Sequence, residues 1–540
     1  MQSDLKILDC TLRDGGYYNA WDFDRGLVDL YLQQLARGGV DIIELGFRFT
    51  DTSKFYGPYA HTSEAFLETL DLPEGPLYGV MLNASDYLTD HWQDDIKRRF
   101  VPAVESKISL VRIAAHIHQV LDCGPLVAEL KQLGYQVGLN IMQISQASEE
   151  KTREIIKRIE SEFVDFEALY FADSLGNLRP EDITRIVTIF KDHTTKAVGF
   201  HGHDNINLGV ANSMTSIEAG ATWVDATITG MGRGAGNTQT EYLATELKHR
   251  KLADLKCIHI HQVATGEFSE MQKHYGWGTN LFYYEAGLRA VHPTYVQQML
   301  SSKRFEAIDI LSMIETLGDS SMNLSYSDQN IETAFTQFLS NANGKDDISG
   351  RWAGRDIILV AGGPNARKHW AGIKEFAAKS QAVVVAVNII DFAEADSFDA
   401  VICVHPARML ALLRSQAWDS VPLVSSGQAI PSEVEAGLVS GRQMIDYGVQ
   451  VKSGQFETFG NGCCVPAPLA AGVALAASHD AGARRIWLAG FDGFDGKSRD
   501  FTEMQDLLNL AHTFGLDIKS LTKTHFNLEM GSLYGILEMT

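Results

Sequence analysis

The stretch AVGFHGHDNINLGVANSMTSIEAGATWVDATITG, residues 197–230, contains one strand–helix–strand unit. A short run rich in Val and Phe comes first, a segment of helical length follows, and a second β-branched run closes the unit. Two parallel strands need a crossover of a dozen or more residues, usually a helix, and this stretch has that length. It therefore predicts two neighbouring parallel strands.

The same alternation extends back to the N-terminus. Eight short runs within residues 1–245 have the composition of strands: LKILDCT, VDIIELGF, LYGVMLN, ISLVRIAAH, QVGLNIMQ, ALYFADS, AVGFHGH and WVDATITG. Eight is the number of strands that a closed parallel barrel needs. The sequence predicts an N-terminal TIM (β/α)8 barrel over residues 1–245.

Three further segments follow the predicted barrel. Residues 246–340 have mixed helical spacing and predict an appended helical region, and residues 341–354 are rich in Gly, Asn, Asp and Ser, as linkers are. Seven strand-like runs then occupy residues 355–540: RDIILVAGG, AVVVAVN, DAVICVH, VPLVSS, MIDYGV, RIWLAGFD and LDIKSLT. Without an eighth strand we expect an open, doubly wound, Rossmann-like α/β domain.

The charge balance restricts the partners. The chain of 540 residues has 46 Lys and Arg against 68 Asp and Glu, a formal charge of −22. This charge repels nucleic acid and anionic membrane surfaces, so we expect neither as a partner. The first residues lack the features of a signal peptide and no run of about 18 apolar residues occurs, which predicts a cytoplasmic protein. The 6 cysteines lack metal-ligand spacing and predict free thiols.

Polar residues stand where several predicted barrel strands end. In a TIM barrel the reacting groups lie at the C-terminal ends of the strands. His201 and His203 alternate on one strand, so both imidazoles face the same point, and a carboxylate such as Asp14 would complete a two-histidine, one-carboxylate metal site. The alternative for His-x-His alone is a pair of hydrogen-bonded barrel histidines. The ligand types predict Mn²⁺, Mg²⁺, Co²⁺ or Zn²⁺.

Further polar residues near strand ends are candidates for substrate binding. The loop GMGRGAGN, residues 230–237, follows the eighth strand, where barrels often bind an anion, although a plain turn is the alternative. As a group the other candidates suggest a polar second substrate such as a sugar aldehyde, while each alone is compatible with a solvated rim. They are Arg48, His116, Asn140, Gln143 and Asp173.

Five motifs carry a resemblance to a known family. TLRDGGY, IELGF, ADSLG, HGHDNINLGVANSMTSIEAGA and GMGRGAGNTQTE occur in one order along residues 1–245. With these motifs the chain resembles the DRE-TIM metallolyase superfamily, which includes HMG-CoA lyase, and most closely its 4-hydroxy-2-oxovalerate aldolase branch. The resemblance implies a lyase that takes a 2-oxo acid and an aldehyde as small-molecule substrates.

The resemblance also assigns roles to residues. Asp14, His201 and His203 match the metal ligands, Arg13 matches the arginine that steadies the enolate oxygen, and Glu44 and Asn237 match positions that support the site or add a metal donor. The family favours Mn²⁺. A 2-oxo acid such as pyruvate would chelate that cation, which would stabilise the enolate.

One position departs from the family pattern. Tyr17 stands in TLRDGGY where the aldolase branch has its acid/base histidine. With an ordinary pKa of about 10, tyrosine would act as a general acid or only as a hydrogen-bond donor. Tyr283 and Tyr284, in the predicted helical region, are other candidates for proton transfer, with aromatic packing as the alternative.

The predicted second domain gives weaker signals. Its first strand leads into Gly362-Gly363-Pro364-Asn365, and a later strand ends in Gly490-Phe491-Asp492. Glycine turns at helix starts can receive phosphate, but simple strand-to-helix turns explain them equally well. Residues 355–540 are distantly similar to sialyltransferase-like and motility-associated glycosyltransferase α/β domains, which implies nucleotide or sugar binding and a role in polysaccharide biosynthesis.

We interpret the barrel as a class II pyruvate aldolase with a divalent cation. Two alternatives stay open: a Claisen-type synthase that joins an acyl-CoA to a 2-oxo acid, and a non-catalytic barrel whose C-terminal domain carries a transferase or binding function. The oligomeric state, including a homo-oligomer, is also open.

Overall fold

The computed structural model describes residues 5–301, 305, 307–318, 339–405, 408–409, 412, 416–427, 443–493 and 499–538. The described residues divide into two compact units, one containing 5–301 and the other containing 339–538. Each unit has its own cluster of buried apolar side chains.

The first unit contains a closed barrel of parallel strands, so the predicted TIM barrel is confirmed. Each strand pairs with its sequence neighbour, and the first strand closes the ring against the eighth through Lys6 and Trp223. The strands are β1 Lys6–Asp9, β2 Ile42–Phe47, β3 Leu77–Asn83, β4 Leu110–His116, β5 Gln136–Met142, β6 Ala168–Asp173, β7 Ala197–Gly202 and β8 Trp223–Ala226.

Helices follow the barrel strands and continue beyond the barrel, as the helical periodicity predicts. They are α1 Thr11–Asp14, α2 Gly16–Asn19, α3 Arg25–Gly38, α4 Pro58–His61, α5 Glu64–Leu67, α6 Ala84–Tyr87, α7 Trp92–Arg99, α8 Gly124–Gln132, α9 Glu149–Glu162, α10 Pro180–His193, α11 Gly209–Ala219, α12 Thr240–His249, α13 Cys257–Thr265, α14 Glu267–Tyr275, α15 Leu281–Leu288, α16 Pro293–Ser301 and α17 Ala307–Gly318. Residues 319–338, in the predicted helical region, lie outside the described residues.

The local sequence explains the bounds of these helices. The Asp24 side chain accepts the backbone N–H of Leu27 and caps α3, which ends where Gly39 takes a φ of +83°. Between its ends α3 buries Val28, Leu32 and Leu35 against the barrel core. The apolar stripe of the helix thus fixes its contact face.

The second unit contains the seven predicted strands in one parallel sheet, which confirms the second α/β fold. The strands are β10 Asp356–Val360, β11 Val383–Val387, β12 Ala400–Ile402, β13 Leu423–Ser425, β14 Met444–Asp446, β18 Arg485–Ala489 and β19 Ile518–Ser520, in the order β14-β13-β12-β11-β10-β18-β19. The strand order reverses at β10. Strands β11 to β14 follow one another on one side of β10, whereas β18 and β19 lie on its other side.

A small four-stranded sheet was not predicted. It consists of β9 Ser340–Asn341, β15 Gly448–Val451, β16 Glu457–Thr458 and β17 Gly462–Val465, in the order β16-β17-β15-β9. Strands of two to four residues are too short to show a period in the sequence.

The segment 341–354, predicted as a linker, joins this unit. Gly344 N–H donates to the Asn461 carbonyl at 2.8 Å, and the side chains of Ile348 and Trp352 are buried in the core of the unit. This segment has the composition of a linker but is packed into the second unit, because backbone hydrogen bonds and two large apolar side chains anchor it.

The second unit also contains the helices α18 Pro364–Ser380, α19 Ala470–Asp480, α20 Arg499–Phe514 and α21 Leu533–Leu537. Short 3-10 turns occur in both units at Ala103–Glu105, Val120–Cys123, Ile144–Gln146, Ile228–Gly230, Ala395–Ser397 and Gln416–Trp418. Over the described part of the chain, every helix is too short or too polar to cross a lipid bilayer.

Candidate active site

The first strand places two charged side chains over the end of the barrel. At the end of β1 the Asp9 carboxylate accepts the backbone N–H of Thr11 at 2.9 Å and its hydroxyl at 2.6 Å. These bonds turn the chain at once into α1. Arg13 and Asp14 are therefore buried, at 5% and 4% exposure, at the C-terminal end of the strands.

The structure brings Asp14, His201 and His203 together. One ligand atom from each lies within 4.8 Å of the other two, and His201 Nε2 is 3.3 Å from Asp14 Oδ2. In the part of the chain that the structure describes, His203 Nδ1 and Asn237 Oδ1 are buried without a hydrogen-bond partner. Buried polar atoms are nearly always partnered, so two orphaned acceptors beside a carboxylate fit a cation.

A second set of potential ligands shares His201. Cys10, His201 and Asp225 also have ligand atoms within 4.8 Å of one another. Burial raises the pKa of the Cys10 thiol well above its usual range, and Sγ donates to the Ala226 carbonyl at 3.6 Å. Because Cys10 Sγ and Asp225 Oδ2 already have partners in the protein, the Asp14 set is the better candidate.

The charges around Asp14 and His203 favour ligation by these two residues. Burial alone would raise the pKa of Asp14, but Arg13 and His201 outweigh it and hold that pKa below its usual range. Burial and the neighbouring His201 lower the pKa of His203 to about 3, so its imidazole is neutral. A carboxylate anion and a neutral imidazole are the forms that bind a metal.

A buried ion-pair network supports these residues from within the barrel. Glu44 accepts Arg13 Nε at 2.8 Å and both Nε and Nη2 of Arg112 at 2.8 Å. Arg112 Nη1 also donates to Asp225 Oδ2 at 2.7 Å, and this oxygen lies 2.9 Å from His201 Nδ1. The network leaves His201 Nε2 directed at Asp14 and fixes the Arg13 side chain.

The 230–237 loop contacts Asp14 through the side chain of Asn237. Asn237 Nδ2 donates to Asp14 Oδ2, and Asn237 N–H donates to the Gly230 carbonyl at 3.1 Å. Gly236 has a φ of +78°, and an added Cβ would lie 2.1 Å from the Gly230 oxygen. The loop thus requires glycine at position 236 to bring Asn237 to the carboxylate.

Known proteins share this barrel. Residues 100–273 match the HMGL-like family model. The 4-hydroxy-2-oxovalerate aldolase of Pelotomaculum thermopropionicum is 32% identical over 249 residues, which are 45% of this chain and 70% of that protein. The chain belongs to the HMGL-like family. The predicted resemblance to DRE-TIM enzymes is therefore confirmed.

Two other comparisons agree with the family. The oxaloacetate decarboxylase of Mycobacterium tuberculosis is 28% identical over 264 residues, 45% of this chain and 70% of that protein. The crystal structure of the N-terminal domain of a putative aldolase from Bacteroides vulgatus has a TM-score of 0.51 at 32% identity and covers 55% of this chain and 97% of that one.

Tyr17, a candidate for proton transfer from the sequence, lies in an aromatic cluster. Its ring packs edge-on against Trp21, with centroids 4.9 Å apart, and against Phe47 at 6.5 Å. The guanidinium of Arg233 lies over its ring, 4.4 Å from the centroid. Of the other tyrosine candidates, Tyr283 is buried at 2% exposure and Tyr284 is 38% exposed.

The predicted substrate-binding residues fall into two groups. Asn140 has a buried Oδ1 without a partner among the residues that the structure describes, and the His116 ring stacks on His118 at 5.5 Å. Gln143 takes a left-handed φ of +55°, and its N–H donates to Ser174 Oγ at 3.0 Å. Such strain in a residue other than glycine is frequent in functional sites.

The second group consists of Arg48 and Asp173, whose side chains form hydrogen bonds within the protein. Arg48 Nη2 donates to Glu64 at 2.7 Å, and Nη1 donates to the Arg99 carbonyl. Asp173 accepts the N–H groups of Asn177 at 3.0 Å and Leu178 at 3.1 Å, and burial raises its pKa to about 7. Both side chains hold neighbouring loops.

Sequence reasoning missed four residues of this site: Arg112, Asp225, Arg233 and His292. Arg112 and Asp225 interrupt the apolar runs LVRIAAH and WVDA, and a charge in such a run is the signal that could have found them. Arg233 was quoted only as part of a glycine-rich loop. His292 carries no local signal.

Proposed function

We propose that the barrel is a divalent-metal-dependent aldolase that adds a pyruvate-type enolate to an aldehyde or releases it. The observation that supports this most strongly is the convergence of Asp14, His201 and His203 within 4.8 Å, beside a buried arginine. The names of the related aldolases agree with this reaction class.

Asp14, His201 and His203 would hold the cation, with Asn237 Oδ1 as a further oxygen donor. When bound, the cation would act as a Lewis acid on the oxygens of a 2-oxo acid. Histidine ligands suit Mn²⁺ better than Mg²⁺, and the family resemblance favours Mn²⁺ over Co²⁺ or Zn²⁺.

Arg13 is the proposed donor to the enolate oxygen. Glu44 and Asp14 fix its Nε and Nη1, whereas its Nη2 is buried without a partner among the described residues. This N–H is therefore pre-oriented to donate a charge-assisted hydrogen bond to an oxyanion. Glu44 acts on the reaction only through Arg13 in this proposal.

Tyr17 is the proposed hydrogen-bond donor or general acid toward the alkoxide oxygen of the aldol. Its ring is fixed by Trp21 and Phe47 on one side and by the Arg233 guanidinium over its face. A phenol that keeps its proton at neutral pH can donate to an alkoxide, whereas it is a weak base.

Exchange of the pyruvate methyl protons for deuterium, followed by NMR, tests the proposal without knowledge of the aldehyde. Metal-stripped protein should exchange slowly, Mn²⁺ should restore exchange, and Asp14→Asn should lose it. Asp192→Asn, at an exposed position of α10, is the matched control and should behave like the wild type. Exchange that is independent of Mn²⁺ or retained in Asp14→Asn would refute the proposed site.

For the second unit, nucleotide or sugar binding stays a prediction. In open α/β sheets ligands bind beyond the C-terminal strand ends where the strand order reverses, here between β10 and β18. At that place the N–H of Asn365, in the first turn of α18, donates to Asp492 Oδ2 at 2.8 Å. A carboxylate already occupies this helix start, which disfavours phosphate there and leaves a sugar hydroxyl as the better ligand chemistry.

A further inference from the structure

Arg233 extends from the 230–237 loop toward residues of the candidate active site. Its guanidinium stacks over the Tyr17 ring, 4.4 Å from the ring centroid. Within the described part of the chain, its Nε is buried and has no hydrogen-bond partner. The side chain is half-buried, so water does not fully replace the missing partner.

Among the described residues the charge of Arg233 is unpaired, whereas the fully buried arginines of the site are paired. Arg13 and Arg112 each contact two carboxylates. Among the described residues, no carboxylate lies within 4 Å of the Arg233 guanidinium. In a chain with a formal charge of −22, an arginine without a carboxylate near a reaction site indicates an anionic ligand.

The contact with His292 leaves this charge uncompensated. Arg233 Nη1 lies 3.2 Å from His292 Nε2, and because a guanidinium can only donate, the imidazole must accept and stay neutral. Burial and the positive Arg233 lower the pKa of His292 to about 3, in agreement with a neutral ring. The pair therefore carries one net positive charge.

The position of the guanidinium is preformed. The Tyr17 ring supports its plane, and His292 holds one of its nitrogens. The loop backbone is also fixed, since an added Cβ at Gly234 would lie 2.9 Å from Tyr283 and 3.0 Å from Pro293. A planar fork held in place can bind a carboxylate or a phosphate through two N–H groups at little entropic cost.

We infer that the aldehyde substrate carries an anionic group, a carboxylate or a phosphate, and that Arg233, supported by His292 and Tyr17, binds it. This inference rests on the proposed aldolase function. The anion is assigned to the aldehyde because Arg13 and the metal ligands already serve the 2-oxo acid, whereas Arg233 contacts Tyr17, the proposed donor to the oxygen that comes from the aldehyde.

Binding measurements test this assignment without turnover. Isothermal titration calorimetry of the Mn²⁺-loaded full chain would compare succinic semialdehyde with its neutral methyl ester, and glyceraldehyde 3-phosphate with glyceraldehyde. We expect the wild type to bind one anionic aldehyde at least about tenfold more tightly than its neutral partner, since charge-assisted hydrogen bonds typically give such factors. The two pairs distinguish carboxylate from phosphate.

Substitutions then locate the anion. Arg233→Met should remove the preference, Arg233→Lys should keep part of it, and Arg37→Met, at an exposed position of α3, should keep all of it. The neutral aldehyde reports within each variant whether the site is still formed. An equal affinity for both members of each pair in the wild type, or a preference that survives in Arg233→Met, would overturn the inference.

Two outcomes separate this inference from the proposed function. If Arg233→Met weakens the binding of pyruvate instead of the anionic aldehyde, the arginine serves the 2-oxo acid and the assignment to the aldehyde is wrong. If anionic aldehydes bind through Arg233 while pyruvate shows no Mn²⁺-dependent exchange, the anion site stands and the aldolase proposal fails.

Discussion

Asp225 lies behind His201, one of the three proposed metal ligands. Its Oδ2 accepts from Arg112 and lies 2.9 Å from His201 Nδ1. A carboxylate at Nδ1 fixes the tautomer of a ligand histidine and makes Nε2 a better donor to the metal. The same oxygen ties His201 to Glu44 and Arg13 through Arg112.

Asp225→Asn should therefore weaken Mn²⁺ binding about tenfold to a hundredfold, which is the usual effect of losing such a partner. Electron paramagnetic resonance of free Mn²⁺ during a titration gives the Kd, and circular dichroism shows whether the variant is folded. Asp192→Asn is the control. A folded Asp225→Asn protein with wild-type affinity would contradict this role for Asp225.

Glu241 predicts a pH dependence of stability. The residue is 8% exposed, its Oε2 accepts the Thr229 N–H at 2.9 Å, and burial raises its pKa from the usual 4.5 to about 7. The folded protein therefore holds the proton more tightly than the unfolded chain. The stabilisation is present below pH 4.5 and is lost as the pH rises through about 7.

Glu241→Gln keeps an acceptor oxygen and cannot ionise. Its thermal midpoint should exceed that of the wild type by a few degrees at pH 8, with the difference vanishing near pH 4, because a shift from 4.5 to about 7 corresponds to about 3 kcal/mol. Differential scanning calorimetry at both pH values measures this. Glu150→Gln, at an exposed position, should show no such trend, and a trend of opposite sign for Glu241→Gln would refute the raised pKa.

At the scale of elements, the 230–237 loop decides whether Asn237 reaches Asp14. Gly236 has a φ of +78° and no room for a Cβ, whereas Gly276 has a φ of +75° and open space around the Cβ position. The two glycines thus share a backbone conformation and differ in crowding.

Gly236→Ala should cost several kcal/mol and displace Asn237, while Gly276→Ala should cost only about 1 kcal/mol, the penalty of the left-handed conformation itself. Urea denaturation gives the free energies of unfolding, and Mn²⁺ titration reports the site. If the two variants lose the same amount of stability, the expected clash between the added Cβ at position 236 and the Gly230 carbonyl oxygen is relieved without cost.

At the scale of the whole molecule, the two units have separate cores. The buried cluster of the barrel contains residues 7–277, and that of the second unit contains residues 339–537. Units with separate cores can fold independently. We therefore expect calorimetry of the full chain to show more than one transition.

A fragment of residues 1–301 should fold, reproduce one of these transitions and retain Mn²⁺-dependent exchange of pyruvate protons. The crystallised N-terminal domain from Bacteroides vulgatus, which covers 55% of this chain, shows that a similar barrel is stable alone. A fragment that is unfolded by circular dichroism, or a single cooperative transition of the full chain, would contradict independent folding.

The sequence alone determined both folds and the metal-ligand candidates. Strand and helix periods depend on neighbouring residues, so eight barrel strands and seven strands of the second sheet were readable without a structure. His201 and His203 were identified because side chains two apart on a strand share a face. Asp14 followed from its place at a strand end, where barrel chemistry is located.

Only the tertiary structure decided which distant charges meet. Arg112 and Asp225 lie 113 positions apart, and Arg233 and His292 lie 59 apart, so no local pattern relates them. The same holds for the four-stranded sheet, in which β9 pairs with β15. Barrel closure and strand register set these contacts, because they fix which side chains share the interior, and register depends on packing across the whole unit.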